Sequence, residues 1–212
     1  MGILSKLKLI NKGSKTERIF ESLFPDKTFL DVEYTHPSEY VTKYWEAYQN
    51  TGIDNNSLNG KIFELIISTL FIRENLLPMY LQAKVAFIPN VEYDLILYNK
   101  EQGPISISLK TSLRERKKQA DLEAIALKYV HRKSQCFLVS LESQEVTSAK
   151  NDLQNGYMLG LDNVILANAN EFDIFIEDLK KKTYTESGNV EIIESNQIVT
   201  STLINEYGIN RK

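Results

Sequence analysis

Between Pro104 and Lys110 the chain alternates: Ile105, Ile107 and Leu109 fall on one side of an extended segment, Ser106, Ser108 and Lys110 on the other. Residues 91–98 form a second strand pattern, and Asn99, Lys100, Glu101, Gln102 and Gly103 read as the hairpin turn joining the two. Thr111 and Ser112 break the alternation and can cap a helix. From Leu113 the period lengthens, with Leu122, Ile125 and Tyr129 recurring at three and four residues, as on a helix. A lysine at a strand end is thereby set close to the start of a charged helix.

The rest of the chain reads in the same way. Residues 1–15 are expected to form a loosely fixed arm. Residues 16–24 predict a short helix with Ile19, Phe20, Leu23 and Phe24 on its apolar face, stopped by Pro25, and 29–34 a short strand. Ser38 is the expected cap of a helix carrying Tyr40, Val41, Tyr44, Trp45 and Tyr48 as core. A polar loop over 51–59 precedes a long helix, started by Ser57 or Asn59, whose apolar residues nearly encircle it and predict burial. Further strands are expected at 79–87, 135–141 and 163–167, with helices reaching to about 155 and spanning 170–182. Cys136 reads as a core thiol and Glu145 as a solvated carboxylate. The tail over 183–212 is polar, with one strand-like piece at 190–193. Strand, helix, strand, helix predicts an α/β fold.

Two acidic side chains break the apolar pattern. Asp94 stands in a strand, where an aspartate is disfavoured, and needs a cation or hydrogen bonds. The antiparallel pairing can bring it near Lys110. Glu64 lies inside the long apolar helix and is costly there unless paired, for instance with a lysine such as Lys84 or Lys110. Two carboxylates and a lysine around one point suit a hard divalent cation and a polarised water.

Charge changes the picture more than composition does. Residues 110–133 hold eight basic side chains against three acidic, in a chain of net charge -3. Such an island suits a polyanionic partner. A length of 212 residues is enough for one domain with a substantial core. A single cysteine excludes an intramolecular disulfide framework and agrees with a cytoplasmic setting. Two histidines leave little for structural zinc, and no stretch has the length of a membrane span.

The spacing resembles a known family. Asp94, Ser108-x-Lys110 and a glutamate thirteen positions after the lysine, Glu123, resemble the permuted form of the PD-(D/E)XK nuclease motif. Ser108 occupies the place of the usual second carboxylate, and Glu123 supplies that carboxylate from the next helix, as in type II restriction endonucleases of the EcoRII and NgoMIV type. The run from Lys110 to Gln119 is similar to the Lys-Thr-(Thr/Ser)-x-(Arg/Lys)-(Asp/Glu)-Arg-x-x-Gln run of that branch. Gly60-Lys61-x-Phe63-Glu64 looks like the first core helix, whose glutamate points toward the metal. The likeness covers about residues 61–141.

The resemblance implies a restriction-endonuclease-like α/β core, a central mixed β-sheet flanked by helices, in a single domain over 1–212. It implies a magnesium-dependent, site-specific endonuclease acting on double-stranded DNA as a homodimer, without a membrane. Asp94 and Glu123 would hold magnesium, with Glu64 as a further ligand. Lys110 would orient water and stabilise charge, and Ser108 would be a hydrogen-bonding neighbour. Arg114 and Arg116 suit guanine and Glu115 suits a cytosine amino group, so the expected palindromic site contains a G·C step. Lys117 and Lys118 are candidate phosphate contacts, as are Arg132 and Lys133, and Gln119 either reads a base or supports the helix. Two other readings stay open: a repair or branched-DNA nuclease of the same fold, and a DNA-binding module without catalysis.

Overall fold

The computed structural model describes residues 2–187 and 192–208. They fall into two compact units.

The first unit, Met1–Leu77, Asn168–Lys181 and Val199–Lys212, is helical. It holds α1 (Ile3–Lys6), α2 (Lys15–Ser22), α3 (Pro37–Gln49), α4 (Asn56–Arg73), α7 (Asn170–Lys180) and α8 (Ser201–Glu206). The start of the chain is not the loose arm its composition suggested. Leu4, Leu7 and Leu9 are buried, and burying one such side chain is worth roughly 1.5–3 kcal/mol. Ser14 caps α2 by accepting the Glu17 N–H at 3.1 Å.

No strand forms at 29–34. Phe29 and Val32 are buried there, but their carbonyls accept from the Arg73 guanidinium instead of from a neighbouring strand. Helix α3 starts at Pro37, and Ser38 does not cap it: its N–H and hydroxyl both donate to Asp173 of α7. Proline at the first turn needs no N–H partner, which explains the early start. Tyr40, Tyr44 and Tyr48 are buried as expected. Asn55, ahead of the two expected caps, accepts the Leu58 N–H at 2.9 Å and opens α4. Eleven of the 18 residues of α4 are buried, as its nearly continuous apolar surface requires.

The second unit, Pro78–Ala167 and Lys182–Ile198, is built on a mixed sheet. Its elements are β1 (Met79–Val85), β2 (Tyr93–Asn99), β3 (Gly103–Lys110), α5 (Arg116–Val130), β4 (Gln135–Ser140), α6 (Ser143–Gln154), β5 (Asn163–Leu166) and β6 (Ile193–Glu194). The strand order is β5-β4-β3-β2-β1-β6, and β7 (Gln197–Val199) also pairs with β1. Strands β1, β2 and β3 form an antiparallel meander, whereas β3, β4 and β5 run parallel through the helical crossovers α5 and α6. The expected central mixed sheet with flanking helices is therefore present. Of the expected strand piece at 190–193, Ile193 opens β6; residues 190 and 191 lie outside the described residues.

One core joins the sheet to its helices. Ala120, Ala124 and Leu127 of α5 and Val146 and Ala149 of α6 pack with Tyr80, Ile96, Cys136, Leu138 and Val164. The side of α5 turned inward is thus lined by alanines. Leu122, Ile125 and Tyr129, which mark the helical period in the sequence, are 66%, 39% and 84% exposed.

Candidate active site

At Asp94 the antiparallel ladder gives way. The β1–β2 register pairs Leu81 with Leu95 and Ala83 with Tyr93, skipping Gln82 opposite Asp94. Gln82 has a φ of +46°, a conformation that costs a non-glycine residue of order 1–3 kcal/mol. The alternation of faces changes phase here: Tyr80 and Ile96 enter the core on one side of this point, Ala83, Val85 and Tyr93 on the other. The β2–β3 pairing likewise runs only to Leu95 and Ile107.

The Asp94 side chain takes over from the missing ladder. Its Oδ2 accepts from the Leu109 N–H at 2.8 Å, the Lys110 Nζ at 2.7 Å and the Ser108 hydroxyl at 3.2 Å. A carboxylate in a strand is tolerated because three donors, one of them charged, surround a single oxygen. The Asp94 and Lys110 side chains are only 12% and 16% exposed, so this pair is not a loose surface contact.

Glu123 comes to the same place from α5. Burial holds its carboxyl above the ordinary value; a hydrogen bond from Gln119 and the positive charge of Lys110 oppose that rise, and the negative charge of Asp94 adds to it. The Gln119 amide donates to Glu123 Oε1 at 2.7 Å, so Gln119 positions a carboxylate from within its own helix. The Tyr93 hydroxyl donates to the Glu123 carbonyl at 3.1 Å, tying the helix to the residue beside Asp94. Two carboxylates thus face one lysine, an excess of one negative charge. Among the described residues no three His, Cys, Asp or Glu side chains gather at metal-binding spacing. Glu64 stands on α4, which belongs to the helical unit.

Between Lys110 and α5 the chain makes a loop over 111–115, and the helix starts at Arg116 rather than at Leu113. Glu145 is the reason. It is not a solvated carboxylate: it accepts the Leu113 N–H at 2.5 Å and the Ser112 hydroxyl at 3.4 Å. Leu113 is fully buried, so its N–H needs that acceptor. Neither Ser112 nor Thr111 caps the helix; its N-cap, Glu115, makes no side-chain cap bond. Arg114, Glu115 and Arg116 are exposed just past this anchor.

The basic island divides by role. Lys117 is committed to Asp152 at 2.5 Å and bonds Ser148 at 3.4 Å, which holds α5 to α6. Lys128 is held by Asp162 at 2.8 Å. Lys118 makes only an exposed 3.8 Å approach to Glu115, while Arg132 and Lys133 are exposed.

Two further groups fix α5. Asp121, buried, accepts the N–H groups of Leu159, Gly160 and Leu161 at 3.1, 2.7 and 3.1 Å. A Cβ on Gly160 would lie 2.4 Å from the Asp121 carbonyl oxygen and 2.5 Å from the Ile125 nitrogen, so only glycine allows this approach. Glu145, Tyr93 and Asp121 do not stand out as site residues in the sequence. A glutamate two residues into a helix carries no signal of what it will accept, and only an unpaired Leu113 N–H could have pointed to Glu145.

The architecture is that of the restriction-endonuclease-like fold. A solved structure described as the restriction endonuclease PspGI in complex with its substrate DNA aligns at a TM-score of 0.53 and 19% identity, covering 82% of this chain and 83% of that one. No known family description and no curated protein matches the chain. Among the described residues no helix is long and apolar enough to cross a membrane.

Proposed function

We propose that the protein is a magnesium-dependent endonuclease of the permuted PD-(D/E)XK branch. It would cut double-stranded DNA as a type II restriction enzyme, at a short palindromic site containing a G·C step. The observation that carries this reading is the grouping of Asp94, Lys110 and Glu123 at the point where the sheet's pairing lapses. Its donors fit magnesium. They are hard oxygens, and magnesium is commonly held by one or two carboxylates while keeping several waters. The excess negative charge of the trio is what a bound cation would balance.

Asp94 and Glu123 would hold the ion. When bound, magnesium supplies charge neutralisation at the phosphate and a lowered pKa for water. Asp94 also fixes Lys110, whose ammonium can donate further hydrogen bonds while keeping its 2.7 Å contact. That ammonium would orient the attacking water and stabilise the charge growing on the phosphoryl oxygens. Ser108 donates to Asp94 and so keeps its carboxylate turned. Gln119 holds the Glu123 carboxylate, and Tyr93 holds its backbone carbonyl.

Arg114, Glu115 and Arg116 would read base edges, since they are exposed directly after the Glu145 anchor. Lys118, Arg132 and Lys133 would meet phosphates. The likeness of fold to the PspGI complex with DNA favours DNA as the partner.

Incubation with plasmid DNA and magnesium is the test. Discrete fragments support the reading. Indiscriminate or structure-specific cutting would instead mean a repair nuclease, and binding without cutting a non-catalytic module. Lys110→Ala is expected to abolish cleavage and keep most binding; equal cutting by both proteins would remove Lys110 from the mechanism.

A further inference from the structure

Ser140, the last residue of β4, is 0% exposed, and its Oγ makes no hydrogen bond among the described residues. A buried hydroxyl normally has a partner, so an exception calls for an explanation. Its position supplies one. The parallel register sets Ser140 directly beside Lys110, the last residue of β3. Residues in register on neighbouring strands point to the same side of a sheet, so the two side chains share a face. It is the face that α5 and α6 cover, since Leu138, two residues before Ser140, packs in their core. Asp94 bonds Ser108 and Lys110 on this face from β2. Lys110 therefore stands between Asp94 on its β2 side and Ser140 on its β4 side.

Donors and acceptors are unevenly matched along this row. Asp94 Oδ2 accepts from three donors although a carboxylate oxygen offers about two lone-pair directions, and the Ser108 contact is the longest, at 3.2 Å. Lys110 leans to Asp94 and commits one ammonium proton there; with its side chain only 16% exposed, the other protons meet little water. Ser140 Oγ accepts from nothing. We infer that Ser140 is a positioning residue for Lys110: its Oγ takes a second ammonium proton on the β4 side while Asp94 keeps the first on the β2 side. Neighbouring strands are about 4.8 Å apart, within reach of a lysine's flexible stem, so the contact needs a turn of that stem and no movement of the sheet. An ammonium has three donors, so one proton is then left, free to face water or phosphate beside Asp94 and Glu123. That use of the last proton rests on the nuclease reading; the pairing of Ser140 with Lys110 does not.

Urea unfolding of the full chain, without DNA or metal, tests the pairing apart from any cleavage. In Asp94→Asn the ammonium loses its ionic acceptor and relies on Ser140. Ser140→Ala should therefore lower the folding equilibrium constant at least about tenfold more in the Asp94→Asn background than in the wild type. A serine that only fills space would cost the same in both. Initial rates against plasmid concentration, with magnesium, give a second readout. Ser140→Ala should lower kcat at least about tenfold and leave KM within about twofold, because the ammonium is misplaced while the DNA contacts remain. Ser140→Thr keeps a hydroxyl on the same carbon and should recover most of the rate. Equal stability changes in the two backgrounds would overturn the inference. So would a wild-type kcat in Ser140→Ala, or a kcat that Ser140→Thr fails to recover. If the wild type cut no DNA, the nuclease reading would fall and the unfolding comparison would still decide the pairing.

Discussion

Replacing Glu145 by alanine removes the acceptor that sets the loop between Lys110 and α5. The Leu113 N–H loses a 2.5 Å bond, the Ser112 hydroxyl a 3.4 Å one, and Leu113 itself stays fully buried. An unpaired buried donor costs about 1–3 kcal/mol, and the longer Ser112 contact adds little. The expected loss is therefore about 2 kcal/mol of unfolding free energy. The loop it releases carries Arg114, Glu115 and Arg116, so ordering it on DNA would require fixing backbone that the wild type already holds, at about 1–2 kcal/mol per residue freed. Urea unfolding reads the first effect. Competition between specific and nonspecific duplexes at one salt concentration reads the second, and specific affinity should fall at least about tenfold while nonspecific binding changes little. Glu145→Gln keeps an acceptor oxygen and should lose less than half as much. A midpoint shift within error for Glu145→Ala, or an equal loss on both duplexes, would refute the anchoring role.

Other outcomes rest on the same kind of contact. Gly160→Ala places a Cβ against the α5 backbone, and the loop must withdraw from Asp121; urea unfolding should show a loss of about 1–3 kcal/mol, and a neutral variant would mean the approach is not needed. Gln119→Leu should slow cleavage at saturating DNA while leaving specific affinity nearly unchanged, because Gln119 holds Glu123; a shift in base preference instead would make it a reader. Burial pushes the Cys136 thiol up to about 11 from an ordinary 9, so the unfolded chain ionises first as pH rises. Its contribution is intact below pH 9 and is lost as the pH climbs toward 11. Cys136→Ala should flatten the fall in stability over that window, and identical slopes would place the cause elsewhere.

What the sequence disclosed depended on whether a pattern has one physical cause. The β2–β3 hairpin was legible because alternation and turn residues point the same way, and an aspartate in a strand had to find partners such as Lys110. The facing of α5 was not legible. Periodicity marks a stripe without saying which side is inside, and here the inner side is lined by Ala120 and Ala124, where the loop at Gly160 approaches closely. The segment at 29–34 had weak alternation, but its carbonyls found Arg73 rather than a strand. Glu145 and Asp121 were invisible as anchors, since the N–H groups they accept come from segments 32 to 40 residues away.

The central claim is that Asp94 and Glu123, from a strand and from the next helix, act together at one centre. Single-turnover cleavage by Asp94→Asn, by Glu123→Gln and by the double variant measures this most directly. Each single change should lower the rate by at least about a thousandfold, and the double variant should be no slower than the worse single one, because parts of one unit are not additive. Cleavage by Glu123→Gln at the wild-type rate would contradict the account.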